Sequence, residues 1–281
     1  MSQNFQSISR RKENISAIEP LISAMRTISL SQWRMALNRQ SGLDAYLREL
    51  ESANATLQNI EYYGYAQNKD DEEILIVLGS NRGLCGNFNK HLAQLARKEM
   101  LHEKHFSQVF LAGKQLPALF KGFLNWPISA ISFPDIADVQ HAPTTFALNS
   151  LEKLDGKTVT VLYNRYQGAG RFETIIQQIY PIHPQKRLES PSEQIDVILD
   201  TDARSLMRTL QYLTLSAHLQ ACLYASLASE HSARFALMEN ADQNIENLIT
   251  ELEILLQDYR KGKITAETQE LAVSSGLLSR K

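Results

Sequence analysis

The 281-residue sequence has only two cysteines, two tryptophans and eight prolines, and it has no marked excess of charge. Cys85 and Cys222 show no metal-ligand spacing, and so few thiols fit a reduced, cytosolic-type compartment. Lysine and arginine number 29 against 31 aspartates and glutamates. That balance makes no case for nucleic acid or for general attraction to a membrane surface. No uninterrupted apolar run is long enough to span a bilayer. The first residues, Met-Ser-Gln-Asn-Phe-Gln, lack the apolar core of a signal peptide. Arg10, Arg11 and Lys12 open a helical pattern with acids mixed in, so no transit peptide is expected. Low-complexity segments and internal repeats are missing too. What is present is an ordinary apolar fraction and enough chain for one large domain or two ordinary ones.

The most informative stretch runs from Asp202 to the C-terminus without a proline. Leu206, Leu210, Leu213, Ala217, Ala221, Tyr224, Ala228, His231, Phe235, Met238, Ala241, Ile245, Leu248, Leu252, Leu255 and Tyr259 follow one another at steps of three and four. The mean step of about 3.5 residues is the heptad period of a left-handed coiled coil. At ~1.5 Å per residue the helix would be on the order of 110 Å long. Such a helix cannot bury its stripe against one small domain and needs a partner helix. Residues 3 to 58 supply one. Ile8, Ile15, Ile18, Ile22 and Met25 form a heptad-like stripe, continued by Leu43, Tyr46, Leu50 and Leu57. Pro20 inside it is expected to kink the helix or loosen a turn. Arg10, Arg11, Lys12, Arg26, Arg34 and Arg39 outnumber Glu13 and Glu19 there, which fits either a solvated face or a rod beside an acidic partner.

Between the helices the pattern changes. Ile74–Leu78 reads as a buried strand, residues 87 to 102 as a helix, and Gln108–Ala112 as a second strand. Ile128–Phe133 is a third short strand. Thr158–Tyr163 and Phe172–Ile179 are a hairpin-like pair across Gly168 and Gly170. Pro181, Pro184 and Pro191 punctuate the exit. The order implies a mostly parallel sheet in a small domain. The expected fold class is therefore α/β: an antiparallel coiled coil of long N- and C-terminal helices with an inserted Rossmann-like α/β domain. The expected parts are a helix over 1–60, the inserted domain over 72–195 and a helix over 202–281.

Candidate chemistry is sparse. Ser80-Asn-Arg-Gly-Leu-Cys-Gly86 lies between a strand and a helix, where α/β folds bind phosphates. It lacks the ending of a P-loop and the spacing of a dinucleotide fingerprint. Cys85 could act as a nucleophile near a helix N-terminus. Otherwise it is a small buried side chain in a tight turn that needs glycine at Gly83 and Gly86. Glu230 and His231 adjoin on a helix, but no second histidine completes a zinc motif. His231 falls on the heptad seam, which favours a packed or hydrogen-bonded role. Tyr163-Asn-Arg-Tyr166 reads as the polar end of a strand.

Several of these stretches together resemble the γ subunit of F-type ATP synthases. The C-terminal pattern of that family appears as Ser229-Glu-His-Ser-Ala-Arg-Phe235, with Met238, Asn240-Ala241, Asn244, Leu248-Ile249 and Leu252. It continues as Arg260-Lys-Gly-Lys-Ile-Thr-Ala-Glu267, with Glu270 and Leu271 beyond. Ser80–Gly86, Ala24-Met25-Arg26 and Tyr163–Tyr166 are similar to three further signatures in the right order. Ser23, Pro20, Thr27, Ser29, Leu30, Lys261 and Gly262 depart from it and suggest a divergent branch. The resemblance implies a rotor shaft that couples ion-driven rotation of a membrane c-ring to ATP synthesis or hydrolysis in a head of α and β subunits, with ε at the foot. It implies partner contacts at Met25, Arg26, Arg260, Lys261, Glu267 and Glu270. Ser29, Ser31, Gly262, Ser274 and Ser275 would be the smooth positions of a bearing. No catalytic residue, cofactor or metal is expected. The implied location is peripheral, on the cytoplasmic face of a prokaryotic plasma membrane. A small-molecule enzyme on the α/β domain and a static coiled-coil scaffold are the competing readings.

Overall fold

A computed structural model describes residues 2–60, 73–101, 106–121, 128–131, 157–181 and 202–274. Its elements are helix α1 (Ser2–Ile60), strand β1 (Glu73–Leu78), helix α2 (Phe88–Leu101), strand β2 (Phe106–Ala112), a 3-10 turn at Pro117–Phe120, strands β3 (Ile128–Ile131), β4 (Thr158–Gly168) and β5 (Arg171–Tyr180), and helix α3 (Ala203–Ser274). The fold is the expected mixed α/β arrangement with long terminal helices. The amphipathic piece after Gly113-Lys114 is the short 3-10 turn. Residues 132 and 133 of the third strand, together with Pro184 and Pro191, lie outside the described residues.

The chain divides into two compact units. One is Ser29–Arg234, and the other combines Met1–Ile28 with Phe235–Lys281. The first holds a five-stranded sheet in the order β3-β2-β1-β4-β5. Every neighbouring pair is parallel except β4 and β5, which are antiparallel. β1 is central and almost wholly buried, so its sequence is a continuous apolar run rather than an alternation. Alternate residues of β1 and β4 serve two cores. Ile74, Ile76, Leu78, Val159, Val161 and Tyr163 pack with Leu215, Leu219, Cys222 and Leu223 of α3. Leu75, Val77 and Leu162 face Phe88, Leu92 and Ala96 of α2, with Leu116 and with Phe120 of the 3-10 turn. The α1 segment of this unit packs on α3 through Leu50, Leu210 and Ala217, and through the small pair Ala36 and Ala228. Asn54 donates to the Thr214 hydroxyl at 2.8 Å within that contact.

In the second unit the two helices run antiparallel. Lys12 meets Glu253 at 2.7 Å, and Arg26 meets Asp242 at 2.8 Å and Glu239 at 3.1 Å. Two expectations are corrected here. α1 continues past Pro20, which is exposed. The ring removes one donor and crowds the carbonyl four residues back, and the exposed face leaves that carbonyl to water. Ile18 points outward at 50 % exposure, so the inner stripe of α1 is Ile8, Ile15 and Ile22, with Lys12 and Glu19 between them and Arg26 after them. On α3 the seam passes through Leu256, 8 % exposed, rather than Leu255, 46 % exposed.

Candidate functional site

Two clusters contain the residues that the sequence singled out. The first joins α3 to the loop after β1. Arg234 donates from Nη2 to Glu230 Oε1 at 2.6 Å, one helical turn away, and both side chains are buried. The same guanidinium reaches the carbonyls of Gly83 and Arg82 at 3.2 and 3.3 Å. Its Nη1 lies 3.2 Å from His231 Nδ1. A guanidinium only donates, so Nδ1 accepts and the imidazole proton resides on Nε2.

The loop is also closed from within. Ser80 N–H donates to Asn89 Oδ1 at 3.0 Å, Asn89 Nδ2 donates to Ser80 Oγ at 2.8 Å, and Ser80 Oγ donates to the Arg82 carbonyl at 2.8 Å. Cys85 Sγ sits beneath, 3.6 Å from Ser80 Oγ, and burial pushes its thiol pKa up. A raised pKa opposes the thiolate that a nucleophile needs, so Cys85 is the small buried side chain of a turn. The turn itself differs from expectation. Gly86 has φ 64° and Leu84 φ 59°, whereas Gly83 has an ordinary φ and open space where a Cβ would stand. Gly86 therefore lies in the left-handed region that favours glycine, and Gly83 does not. The carboxyl ends of β1 and β2 approach each other closely. Gly79 N–H bonds the Ala112 carbonyl at 2.8 Å, and a Cβ on Gly79 would meet Leu116 Cγ at 2.4 Å.

Burial, with Arg234 and Arg82 adding to it, lowers the His231 pKa from 6.5 to about 3. The imidazole is neutral in the folded chain at physiological pH. Below about pH 6.5 the unfolded chain takes up a proton that the folded chain refuses, so stability falls as pH falls. Between pH 7 and pH 5 this one group should remove on the order of 2 kcal/mol. His218, lowered by burial, acts in the same direction. Urea unfolding at the two pH values should show the loss, and His231→Gln should reduce it. Equal losses in parent and variant would show that His231 is not the group responsible.

The second cluster lies on the helix pair. Met25 is half-buried, and Arg26 is engaged by Glu239 and Asp242. Arg260 stacks over the Phe5 ring at 5.8 Å. It lines an open groove of about 600 Å³ with Phe5, Tyr259, Lys263, Glu267 and Glu270. Glu267 lies 3.6 Å from Lys263, both exposed. Lys261 is exposed and outside that groove. The structure thus brings Arg260, Glu267 and Glu270 together and leaves Met25 and Arg26 elsewhere along the pair. Ser29 is buried, so it forms no bearing surface in this chain, and Ser275 lies outside the described residues. Sequence reasoning overlooked the partners Arg234, Asn89 and Asp242. The four-residue spacing of Glu230 and Arg234 was a usable signal for the first. Among the described residues no group of side chains could hold a metal ion, and no helix is long and apolar enough to cross a membrane.

The comparisons converge. Residues 4–276 match the family model described as ATP synthase. A curated relative from Rickettsia felis, an ATP synthase gamma chain, is 23% identical over 97% of this chain and 98% of its own length. Another of the same name, from Verminephrobacter eiseniae, is 26% identical over 92% and 93%. Among solved structures, a chain of the Euglena gracilis mitochondrial ATP synthase rotor is similar with a TM-score of 0.63. It shares 18% identity, covering 94% of this chain and all of that one. A chain of the Tetrahymena thermophila mitochondrial ATP synthase central stalk and c-ring gives 0.59 at 19% identity, covering 79% and 99%.

Proposed function

The chain belongs to the ATP synthase family, and from that membership we propose that it is the γ subunit, the central shaft of a rotary ATP synthase. The observation that carries this reading is the extent of the likeness. It takes in both long helices and the sheet between them, and it spans 98% of the length of a gamma chain. The helix pair turns inside a head of α and β subunits, and the sheet unit meets the ε subunit and the membrane c-ring. Ion flow rotates the ring and the shaft with it. An asymmetric shaft then favours different nucleotide affinities at successive β sites.

The surface of the helix pair supports a sheathed position. Ile18, Leu21, Ile28, Ile254, Leu255, Ile264, Leu271 and Val273 are all exposed. Enclosure in a head would cover these large apolar side chains. Met25, Arg26, Arg260, Lys261, Glu267 and Glu270 are the proposed partner contacts. Of these, Arg260 and Lys261 lie on the exposed stretch of α3 where charge-assisted contacts with an acidic loop are possible at one rotor angle. The chain itself is proposed to be non-catalytic. It is peripheral, on the cytoplasmic face of a prokaryotic plasma membrane. The three-part division at 1–60, 72–195 and 202–281 belongs to the same reading.

The test is reconstitution of the complex in vesicles with and without this chain. ATP-driven ion pumping should vanish without it and return when it is added, and the isolated chain should hydrolyse no ATP. Pumping in its absence would overturn the coupling role. Turnover by the isolated chain would overturn its non-catalytic character and favour an enzyme on the α/β domain.

A further inference from the structure

From Met238 to Tyr259, α3 carries two apolar seams. Met238, Ile245, Leu252 and Tyr259 recur every seven residues and belong to both. Four residues after the first three come Asp242, Ile249 and Leu256. Three residues after them come Ala241, Leu248 and Leu255. The structure turns the first set inward: Asp242 and Leu256 are buried, and Leu248 and Leu255 are exposed. At about 100° per residue the centres of the two seams lie roughly 50° apart around the helix axis. Either seam satisfies a heptad contact. Exchanging Ile249 and Leu256 for two leucines changes apolar burial little, so the hydrophobic effect does not choose between them.

Charge does choose. Asp242 occupies a seam position and pairs with Arg26 at 2.8 Å, and Arg26 also reaches Glu239 at 3.1 Å. Lys12 meets Glu253 at 2.7 Å. Glu239 and Glu253 each follow a shared seam residue by one position, which places both on the Asp242 flank of the helix. Turning α3 to the other seam carries all three carboxylates away from Arg26 and Lys12 together. A polar residue at one seam position is a general means of fixing register, and breaking a buried pair leaves an uncompensated charge.

We infer that the Arg26–Asp242 pair, backed by Lys12–Glu253, is a latch that holds α3 in one of two rotational settings against α1. The alternative setting uses Ala241, Leu248 and Leu255. A partner that binds Arg26 or Asp242 more tightly in the released state shifts the population towards it. The inference rests on the helix pair alone and does not depend on the rotor reading.

The test uses the full chain with Cys85 and Cys222 replaced by alanine. Leu255→Cys and Leu256→Cys are introduced singly and labelled with N-ethylmaleimide. In the latched chain position 255 should label at least about tenfold faster than position 256. In the variant Lys12→Ala, Arg26→Ala, Asp242→Ala the two settings should be about equally populated, so 256 should speed up while 255 slows to about half its parental rate. Simple loosening of the pair would speed 256 without slowing 255, and a single-setting pair would keep the parental order. Either result overturns the proposal. The charge-swapped chain Arg26→Asp, Asp242→Arg should restore the parental order. If it labels like the alanine variant, that pair is not the latch.

Discussion

Replacing Arg234 by alanine is expected to destabilise the sheet unit by about 3–5 kcal/mol, a large share of the roughly 5–15 kcal/mol available to a folded domain. The side chain is buried, and its loss takes from the buried Glu230 carboxylate the guanidinium that it meets at 2.6 Å. It also takes one donor each from the carbonyls of Arg82 and Gly83 and from His231 Nδ1. The cost comes mainly from the charge left behind, not from the contact removed. Replacing both partners at once, as in Glu230→Leu with Arg234→Met, should therefore cost less than the single change. Urea unfolding measures both. A single variant that loses under about 1 kcal/mol, or a double variant less stable than the single, would contradict this account of the cluster.

Gly113→Ala is expected to be nearly as severe, for a reason that lies in the backbone. Gly113 has φ 110°, a conformation that side chains rarely adopt, and a Cβ there would stand 2.7 Å from the Gly79 carbonyl carbon and oxygen. Neither obstacle is a flexible side chain that could swing aside. Conformational strain and overpacking of about 1–3 kcal/mol each point to a loss of roughly 3–5 kcal/mol. Gly83→Ala is the contrast. No atom lies within 4 Å of its Cβ and its φ is ordinary, so its effect should stay within about 0.5 kcal/mol of zero. If the two variants unfolded at similar urea concentrations, the close approach of the β1 and β2 ends would not be the constraint assigned to it.

Much of the molecule was legible in the sequence because its elements differ in period. Steps of three and four over dozens of residues permit a long helix, and the unbroken apolar run Ile74–Leu78 permits a strand covered on both faces. Chain order then limited the sheet to parallel pairing with one late hairpin, as found. The candidate cluster was half legible. Glu230 and His231 stood out as adjacent ionisable residues, but nothing in the sequence brings Arg234 to carbonyls about 150 positions away. The turn was misread at Gly83 because a glycine in a loop shows that a strained backbone is allowed there, not that it is adopted.

The sequence by itself determined the kinds of element, their order, the absence of a bilayer-length apolar run and the likeness to a rotary shaft. Each depends on local composition or on spacing along one chain. Tertiary structure alone decided which side of each helix is the inside. Ile18 and Leu255 fit the heptad pattern as well as Ile15 and Leu256 do, yet they face outward. An apolar period records that a helix has a seam, but α3 offers two seams of nearly equal hydrophobic value. The choice between them came from Lys12 and Arg26 on a helix more than two hundred residues away in the sequence, through ion pairs that exist only once the helices meet.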